Sequence, residues 1–478
     1  MAVVCVDAGT TLIKAVAYDT RGAEVTIARR RTAVSRPRPG WAEQDMAAVW
    51  EAVAACVREA AADVVGDVEF VAVTAQGDGC WLVGADGEPT GPAILWNDGR
   101  AAGIVERWAA EGILDRAFAV NGSLTFPGLP NAVLAWLAEH DPERLERSAA
   151  ALTCGGWIFS RLTGLPAVDT SDGSAPFTDL RTGRFSTALL ELYGMPWAER
   201  LLPRLLGDDE RVAPLTGPAA RELGLPPGTP VVMAPYDIAA TAIGLEVTEP
   251  GQACGILGTT LCTEIVTDRP EPGDKPVGCT VALGLPYRHL RVFPTLAGGE
   301  VIEWARALLG LRDPEELGRL ALRAAPGADG LTFLPYLSPA GERAPFLDPR
   351  ARGSLHGVTV EHGPEHVARA VLEGLSLVIR DCLEAAGERP RELRVCGGGA
   401  ASEVWTQLIA DVTGLRVLRS ADAEAGARGA YRLGRLATGG DPGTARIRDA
   451  FEPRHDYDAH YARFLEIRET VAATWGRP

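Results

Sequence analysis

Two segments of the sequence place Gly-Thr-Thr directly after an apolar stretch, and another apolar stretch follows each of them. The first is Cys5-Val-Asp-Ala-Gly-Thr-Thr11 and the second is Gly255-Ile-Leu-Gly-Thr-Thr260. A tight hairpin of glycine and hydroxyl residues presents N–H and O–H donors in a small concavity, which can hold a phosphate. Because one copy lies in each half of the chain, the two predict a site that grips a polyphosphate from both sides. The alternative is that Gly-Thr-Thr marks only a turn.

Strands and helices are predicted to alternate around these segments. Residues 3–6 and 13–18 predict the two strands of a glycine-containing hairpin, and residues 69–74 alternate like another strand. Apolar residues at helical spacing follow Asp45, which predicts a helix capped by that aspartate. In the second half, a strand at 393–396 leads through three glycines into a helix. Alternation of this kind favours an α/β fold.

The composition is that of a globular protein. Of 478 residues, 46% are hydrophobic and 23% are charged, which argues against disorder and suggests two to four domains. The net charge of −16, without a local basic patch, argues against nucleic acid and anionic membranes as partners. No apolar stretch reaches the roughly 18–20 residues that span a bilayer, and the N-terminus lacks the basic region of a signal peptide. Nine scattered cysteines without a CxxC motif indicate reduced thiols and no zinc site, so a cytoplasmic location is expected.

Four segments, in order along the chain, resemble motifs of the FGGY family of carbohydrate kinases, which lies in the sugar kinase, actin and Hsp70 superfamily. Residues 7–14, Asp-Ala-Gly-Thr-Thr-Leu-Ile-Lys, are similar to the family's first phosphate hairpin, and residues 258–260 are similar to its second. Residues 335–353 resemble the family's most specific signature. Residues 397–402, Gly-Gly-Gly-Ala-Ala-Ser, resemble its adenosine loop. One such motif would be weak evidence for the resemblance, whereas four motifs in the expected order are specific evidence.

The resemblance implies an α/β fold of two ribonuclease-H-like domains, as in the actin-like ATPases, with the active site in a cleft between them. We expect an N-terminal domain at 1–245, a C-terminal domain at 246–440 and a helical extension at 441–478. The implied reaction is the ATP-dependent transfer of the γ-phosphoryl group to a hydroxyl of a sugar or polyol, which needs charge stabilisation and positioning more than covalent chemistry. The residues expected to bind ATP are Gly9, Thr10, Thr11, Lys14, Gly258, Thr259, Thr260, Gly397, Gly398, Gly399, Ala400 and Ser402.

Two aspartates carry the chemistry that the resemblance implies. Asp7 is expected to hold Mg²⁺, through water since this ion keeps much of its hydration shell; the alternative is that it caps the turn. Asp237 follows a predicted strand, where the family places the carboxylate that accepts the proton of the attacking hydroxyl. It is also expected near Mg²⁺, and its alternative role is to cap a helix that begins at Ile238. Pro235 and Tyr236 depart from the glycine that many members carry before this aspartate, which leaves the shape of the pocket open.

The sugar is expected to contact two segments in which carboxylates follow apolar strands. The residues assigned to it are Gln76, Gly77, Asp78, Trp96, Asp98 and Asp237. Gln-Gly-Asp-Gly at 76–79 resembles erythritol and related polyol kinases, whereas Trp-Asn-Asp-Gly-Arg at 96–100 resembles xylulose kinases. Glycerol kinases carry arginine where this chain has Gly77, so a larger and less cationic pocket is expected here. For Asp98, the alternative to contact with the sugar is an internal salt bridge with Arg100.

Three functions follow from these observations. The first is a kinase for a ketopentose such as xylulose, or for a tetritol or pentitol such as erythritol. The second is a kinase for another acceptor, such as a cyclitol. The third is an ATP-binding relative of actin or Hsp70 with a regulatory or chaperone-like role; Asp237 and the lack of a pattern for a C-terminal peptide-binding β-domain argue against it. A small molecule is the expected partner, and a homodimer is left open as the assembly.

Overall fold

The computed structural model of the protein describes residues 2–64, 66–272, 276–387 and 389–475. The chain packs as two compact units, and neither of them is a single stretch of sequence. The first unit is made of Met1–Thr248, Asp268–Leu290 and Glu424–Thr444, and the second of Glu249–Thr267, Arg291–Ala423 and Ala445–Pro478. A segment from near the end of the chain therefore belongs to the first unit. Within the described residues, no helix combines the length and the apolar character needed to cross a bilayer.

The first unit is built on a six-stranded mixed sheet. Its strands, in spatial order, are Val212–Pro214, Pro230–Met233, Val68–Ala75, Ala2–Ala8, Leu12–Asp19 and Glu24–Arg31. Ala2–Ala8 lies inside the sheet, where it pairs antiparallel with Leu12–Asp19 and parallel with Val68–Ala75. Since nearly all of its residues are buried, it is apolar from Ala2 to Val6 rather than alternating, and Asp7 is its one charged residue. The predicted glycine-containing hairpin is thus present at the centre of the sheet.

The first unit also contains helices and short strands. The helices are Met46–Ala62, Ala102–Ala110, Ile113–Asn121, Pro130–His140, Pro142–Arg147, Cys154–Thr163, Thr187–Leu192, Gly217–Leu223, Asp237–Gly244 and Ala425–Ala437, with a 3₁₀ helix at Pro196–Leu201. The short strands are Glu43–Gln44, Trp81–Val83, Ala93–Ile94, Ala150–Leu152, Ala167–Asp169, Thr178–Asp179, Arg184–Phe185, Arg204–Leu206 and Cys279–Ala282. The Asp45 carboxylate accepts the amides of Ala47 and Ala48 and caps the first helix, as the sequence predicts.

The second unit has the same design. Its sheet contains, in spatial order, His289–Pro294, Leu261–Thr267, Ala253–Leu257, Glu392–Cys396, Arg416–Ser420 and Ile447–Phe451. Its helices are Gly299–Leu308, Pro314–Ala321, Pro364–Ala385, Glu403–Thr413 and Asp458–Ala472, with 3₁₀ turns at Ala328–Gly330 and Gly398–Ala401 and a small hairpin of Thr332–Leu334 and Ser354–His356. Apolar side chains between the sheet and these helices form its core.

The C-terminal segment, for which a helical extension is predicted, is not helical throughout. Ile447–Phe451 is an antiparallel strand paired with Arg416–Ser420 at the edge of the second sheet, and the helix Asp458–Ala472 follows it. The strand is short and half-exposed, so its sequence lacks the apolar alternation that would reveal a strand. The domain limits at 245 and 440 stay predictions.

Two helices of the first unit approach each other so closely that only glycine fits between them. These are Asp237–Gly244 and Ala425–Ala437. A Cβ atom at Gly244 would overlap the carbonyl of Ala425, and one at Gly429 would overlap the carbonyl of Ala240. The crossing holds the helix that begins at Asp237 in a fixed position.

We expect Gly429→Ala to destabilise the protein, although alanine is the better helix former. Overpacking of this kind costs about 1–3 kcal/mol, which outweighs the gain of about 0.5–1 kcal/mol in helix propensity. Gly103→Ala is the matched control, because Gly103 lies in a helix with nothing near its missing Cβ atom. Urea unfolding should show a lower midpoint for Gly429→Ala and an equal or higher one for Gly103→Ala. Equal midpoints for the two variants would contradict the crossing.

Candidate active site

The first hairpin holds a cation and a carboxylate opposite each other. Asp7 and Lys14 are paired in register across the two strands, and Lys14 Nζ lies 3.8 Å from Asp7 Oδ2. The same ammonium lies 2.5 Å from Glu424 Oε2, and the other oxygen of Glu424 accepts a 2.8 Å hydrogen bond from Arg29. Burial raises the pKa of Asp7 above its usual value, and the Lys14 charge opposes that rise. Asp7 thus lies half-buried near the end of a strand, beside the ammonium of Lys14.

Glu424 was not predicted from the sequence to belong to the site. It immediately precedes the helix Ala425–Ala437, whose Gly426 lies against Asp7: a Cβ atom there would be 3.2 Å from Asp7 Oδ2. Although burial acts in the opposite direction, Lys14 and Arg29 lower the pKa of Glu424 below its usual value. Glu424 therefore stays ionised and anchors the ammonium of Lys14 beside Asp7.

A closed network of hydrogen bonds ties the loop of this hairpin to the predicted sugar residues. The Thr10 hydroxyl donates to Gln76 Oε1 at 2.6 Å and accepts from Trp96 Nε1 at 3.1 Å. Gln76 Nε2 donates to Gln44 Oε1 at 2.8 Å, and Gln44 Nε2 donates to the Thr10 carbonyl at 2.6 Å. These polar groups are used to hold the loop. Gln44 completes the network, and its local sequence gives no indication of this role.

Asp237 lies among other acids. The helix begins at Asp237 itself, with Tyr236 as the N-cap residue, and the Asp237 carboxylate accepts the amide of Ile238 at 2.8 Å. Burial, with the charges of Asp7 and Asp78, raises the pKa of Asp237 to about 7, and the Ile238 hydrogen bond opposes the rise. A carboxyl group with this pKa exchanges protons near neutral pH. The helix begins one residue earlier than the capping alternative predicts, so Tyr236 rather than Asp237 occupies the N-cap position.

Asp78 has an unusual backbone conformation. Its φ of 56° lies in the left-handed region, which costs free energy for residues other than glycine and is more tolerated by aspartate. Such strain persists only where the surroundings impose it, and it is frequent at functional sites. The conformation places the Asp78 carboxylate within electrostatic reach of Asp237.

A further carboxylate, Asp172, joins this group although the sequence did not indicate it. It follows a turn in which the Asp169 carboxylate accepts the backbone amides of Ser171 and Asp172. Burial, the charge of Asp169, and more weakly those of Asp78 and Asp237, raise the pKa of Asp172 well above its usual value. Its Oδ1 atom is buried and has no hydrogen-bond partner among the described residues. The sequence around it reads only as a turn.

Asp98 is engaged within the protein. Its carboxylate accepts hydrogen bonds from Arg100 Nε and Nη2, both at 2.9 Å, and from the Ala42 amide at 2.6 Å. The Asp98 side chain is fully buried, and the guanidinium of Arg100 lies 3.8 Å from the centre of the Trp41 ring. The structure therefore favours the internal salt bridge over contact with the sugar.

Gly77 does not leave the free space from which a larger pocket is predicted. A Cβ atom at this position would overlap the ring of Tyr236, which lies directly on the glycine. Tyr236 therefore fills the space that a side chain at position 77 would occupy. The sequence shows that Gly77 and Tyr236 both depart from residues found in other family members. It does not show that the ring of Tyr236 fills the space left by Gly77.

The second Gly-Thr-Thr hairpin lies in the second unit, between Ala253–Leu257 and Leu261–Thr267. The start of the helix Gly299–Leu308 is bonded to it: the amide of Gly299 donates to the carbonyl of Gly258 at 3.0 Å, and the next amide donates to Thr259. Any Cβ atom at Gly298 or Gly299 would collide with the hairpin backbone. The double glycine at 298–299 was the available signal for this contact.

The glycine loop borders a cavity of about 430 Å³ in the second unit. Its lining includes Gly398, Gly399, Ser402, Trp405, Ile302 and Asp313. A Cβ atom at Gly398 would meet nothing within 4 Å, whereas one at Gly399 would overlap the Trp405 ring. Ser402 caps the following helix by accepting the amide of Trp405 at 3.2 Å. Gly398 therefore borders open space, and Trp405 is a packing residue.

Asp7 and Asp237 suit a cation held mainly by water and phosphate oxygens. Their charges repel each other within a buried site, and a divalent cation would relieve that repulsion. In the part of the chain that the structure describes, no cluster of three His, Cys, Asp or Glu side chains is arranged to enclose a metal. Mg²⁺ typically uses one or two carboxylates together with substrate phosphates, so this donor set fits it.

The two mixed sheets, each covered by helices and each bearing a Gly-Thr-Thr hairpin, define a two-domain α/β phosphotransferase. The model of the N-terminal domain of the FGGY family of carbohydrate kinases matches residues 2–244, and that of its C-terminal domain matches residues 253–438. The chain belongs to the FGGY family of carbohydrate kinases. The predicted family, fold class and kinase activity are thereby confirmed.

Several relatives match along nearly the whole chain. The erythritol kinase of Brucella abortus (strain 2308) is 32% identical, with 99% of this chain and 97% of the relative covered. The xylulose kinase of Escherichia coli (strain K12) is 31% identical, with 97% and 96% covered. A ligand-bound xylulose kinase from Lactobacillus acidophilus has a similar structure, with a TM-score of 0.94 at 25% identity and 100% and 99% covered. The predicted resemblance to both kinds of kinase is confirmed.

We expect Gly398→Val to raise the KM for ATP at least about tenfold, because its side chain would enter the nucleotide cavity. Gly398→Ala is the graded control and should have a smaller effect. The fold should survive, since no atom of the described residues lies within 4 Å of a Cβ atom added at Gly398. Steady-state kinetics with each substrate varied in turn will test this. A change in the KM for the acceptor alone would show that the loop does not bind the nucleotide.

Proposed function

We propose that this kinase transfers the γ-phosphoryl group of ATP to a hydroxyl of a small polyol or ketose with four or five carbons. The observation that carries the proposal is the Asp237 carboxyl group, which has a pKa of about 7 and lies within electrostatic reach of Asp7 and Asp78. A group that binds and releases a proton near neutral pH is suited to general-base catalysis at that pH.

Asp237 accepts the proton of the attacking hydroxyl in this mechanism. The hydroxyl oxygen forms a bond to the γ-phosphorus, the bond from that phosphorus to the β–γ bridging oxygen breaks, and ADP leaves with the electron pair. The position of Asp237 is set by its helix, whose crossing with Ala425–Ala437 prevents it from shifting. The base is therefore positioned before the substrate binds, which lowers the cost of reaching the transition state.

The first hairpin supplies the positive charge of the first unit's phosphate site. Lys14 is held in place by Glu424, so its ammonium is oriented without loss of further side-chain freedom on binding. Asp7 and Asp237 would hold Mg²⁺ through water, and the ion would neutralise charge on the phosphates. Backbone N–H groups of Gly9, Thr10 and Thr11, and of the second hairpin, are proposed to bind phosphate oxygens.

The acceptor is proposed to contact Asp78 and Asp172, whose carboxylates can accept hydrogen bonds from neighbouring hydroxyls. The Oδ1 atom of Asp172 is buried and has no hydrogen-bond partner within the part of the chain that the structure describes, and satisfying such a buried atom is favourable. Gln76 and Trp96 act indirectly, because they hold the hairpin loop. A cytoplasmic location and a homodimer stay predictions.

A coupled assay of ADP release against a panel of acceptors tests this function. We expect erythritol and D-xylulose to exceed glycerol by at least about tenfold in kcat/KM, since a missing hydroxyl that leaves a buried acceptor unpaired costs about 1–3 kcal/mol. Asp78→Ala should remove most of that advantage. ADP release that needs no acceptor would instead support an ATPase without sugar kinase activity.

We expect Asp237→Asn to lower kcat by about 10²–10⁴-fold, the usual cost of losing a general base. The fold and ATP binding should survive, because asparagine keeps the shape of the side chain. In the wild type, kcat/KM should rise with pH through about 7 and level off above it, since the base works only when deprotonated. A variant that retains more than half of the wild-type kcat would remove Asp237 from the mechanism.

A neighbouring substitution separates the pH effect from simple damage to the site. Asp78→Asn removes one of the charges that raise the pKa of Asp237. The rising limb of its pH profile should therefore move to lower pH, even if its rate is reduced. A limb that stays at the same pH would assign the titration to another group.

A further inference from the structure

The interlock between Gly77 and Tyr236 suggests how the acceptor is chosen. The Tyr236 ring lies on Gly77, and the ring would overlap even the first atom of any side chain there. Tyr236 is 9% exposed, so the ring is packed into the protein rather than loose at its surface. Only one of the two positions can carry a side chain in this space.

Three contacts fix the backbone on which Tyr236 stands. The Thr74 hydroxyl donates to the carbonyl of Pro235 at 2.6 Å. The amide of Tyr236 donates to the Ser171 hydroxyl oxygen at 3.0 Å. Gly284 lies so close to the Pro235 ring that a Cβ atom there would be 2.6 Å away. The ring therefore cannot move aside by a shift of its backbone, and it forms a rigid wall.

The chain neighbours of the two residues are both proposed to act on the acceptor. Asp78 follows Gly77 and is proposed to accept hydrogen bonds from hydroxyls, and Asp237 follows Tyr236 and is proposed to accept the proton. Each residue of the interlock is therefore the chain neighbour of one of these carboxylates. An aromatic face packs against C–H groups of a carbon chain and carries no charge, whereas a long cationic side chain at position 77 would offer hydrogen bonds instead.

We propose that Tyr236 is a specificity-determining residue, whose ring selects acceptors with a carbon chain of four or five atoms over glycerol. The proposal rests on the proposed function and deepens it. A longer chain covers the ring while its hydroxyls reach Asp78 and Asp237. A three-carbon acceptor that reaches Asp237 leaves part of the ring uncovered and so loses apolar contact.

The test compares kcat/KM for erythritol, D-xylulose and glycerol among the wild type and four variants. Tyr236→Gly should lower the ratio of the better long acceptor to glycerol at least about tenfold, mainly through the KM of the long acceptor. Tyr236→Phe is the matched control and should keep the wild-type ratio within about twofold, because it retains the ring. Gly77→Arg alone should lose most activity towards every acceptor. The double variant Gly77→Arg/Tyr236→Gly should regain activity, now with glycerol preferred.

Two results would overturn the proposal: a Tyr236→Gly ratio within about twofold of the wild type, or a Gly77→Arg variant that keeps wild-type kcat/KM for the three acceptors. If thermal melting shows that Tyr236→Gly does not fold, Tyr236→Leu replaces it, since leucine fills the space with a different shape. Failure of the proposed function would look different. In that case the wild type itself would phosphorylate none of the three acceptors.

Discussion

The crossing of two helices through glycine is the constraint on which the site of the first unit depends. At Gly244 and Gly429 the backbones lie so close that no side chain fits between them. As a result, the helix Ala425–Ala437, which comes from near the end of the chain, is packed into the unit that carries Asp7 and Asp237. Two carboxylates on different elements keep a constant separation only if those elements cannot slide, and close-packed glycine contacts prevent sliding.

The same packing brings several carboxylates close together, and their mutual repulsion lowers the stability of the folded state. Asp78, Asp172 and Asp237 lie within reach of one another's charge, with Lys14 near Asp7 as a compensating cation. An acid whose pKa is raised on folding holds its proton in the folded state over a range where the unfolded chain has lost it. Stability therefore falls as pH rises through that range, up to about 7 for Asp237. Proteins tolerate such destabilised groups chiefly at functional sites, where ligands and substrates relieve them.

Polar residues that follow strands proved to have two different uses. Gln76, Trp96 and Asp98 each form hydrogen bonds with other protein groups. Asp78 and Asp172 instead keep their carboxylates in a shared electrostatic field. Both kinds of residue follow a strand in the sequence. Their use differs because the groups that face the end of a strand come from distant parts of the chain.

The sequence by itself determined the local elements and the family. The hairpins, the helix capped by Asp45 and the glycine loop depend on neighbours within a few residues, so periodicity and residue type are sufficient to predict them. Only the tertiary structure decided that Tyr236 covers Gly77 and that Glu424 anchors a lysine 410 residues away. Such contacts join residues that are distant in the chain, and their energies come from shape and charge across elements. A single sequence contains no record of which distant residues will meet.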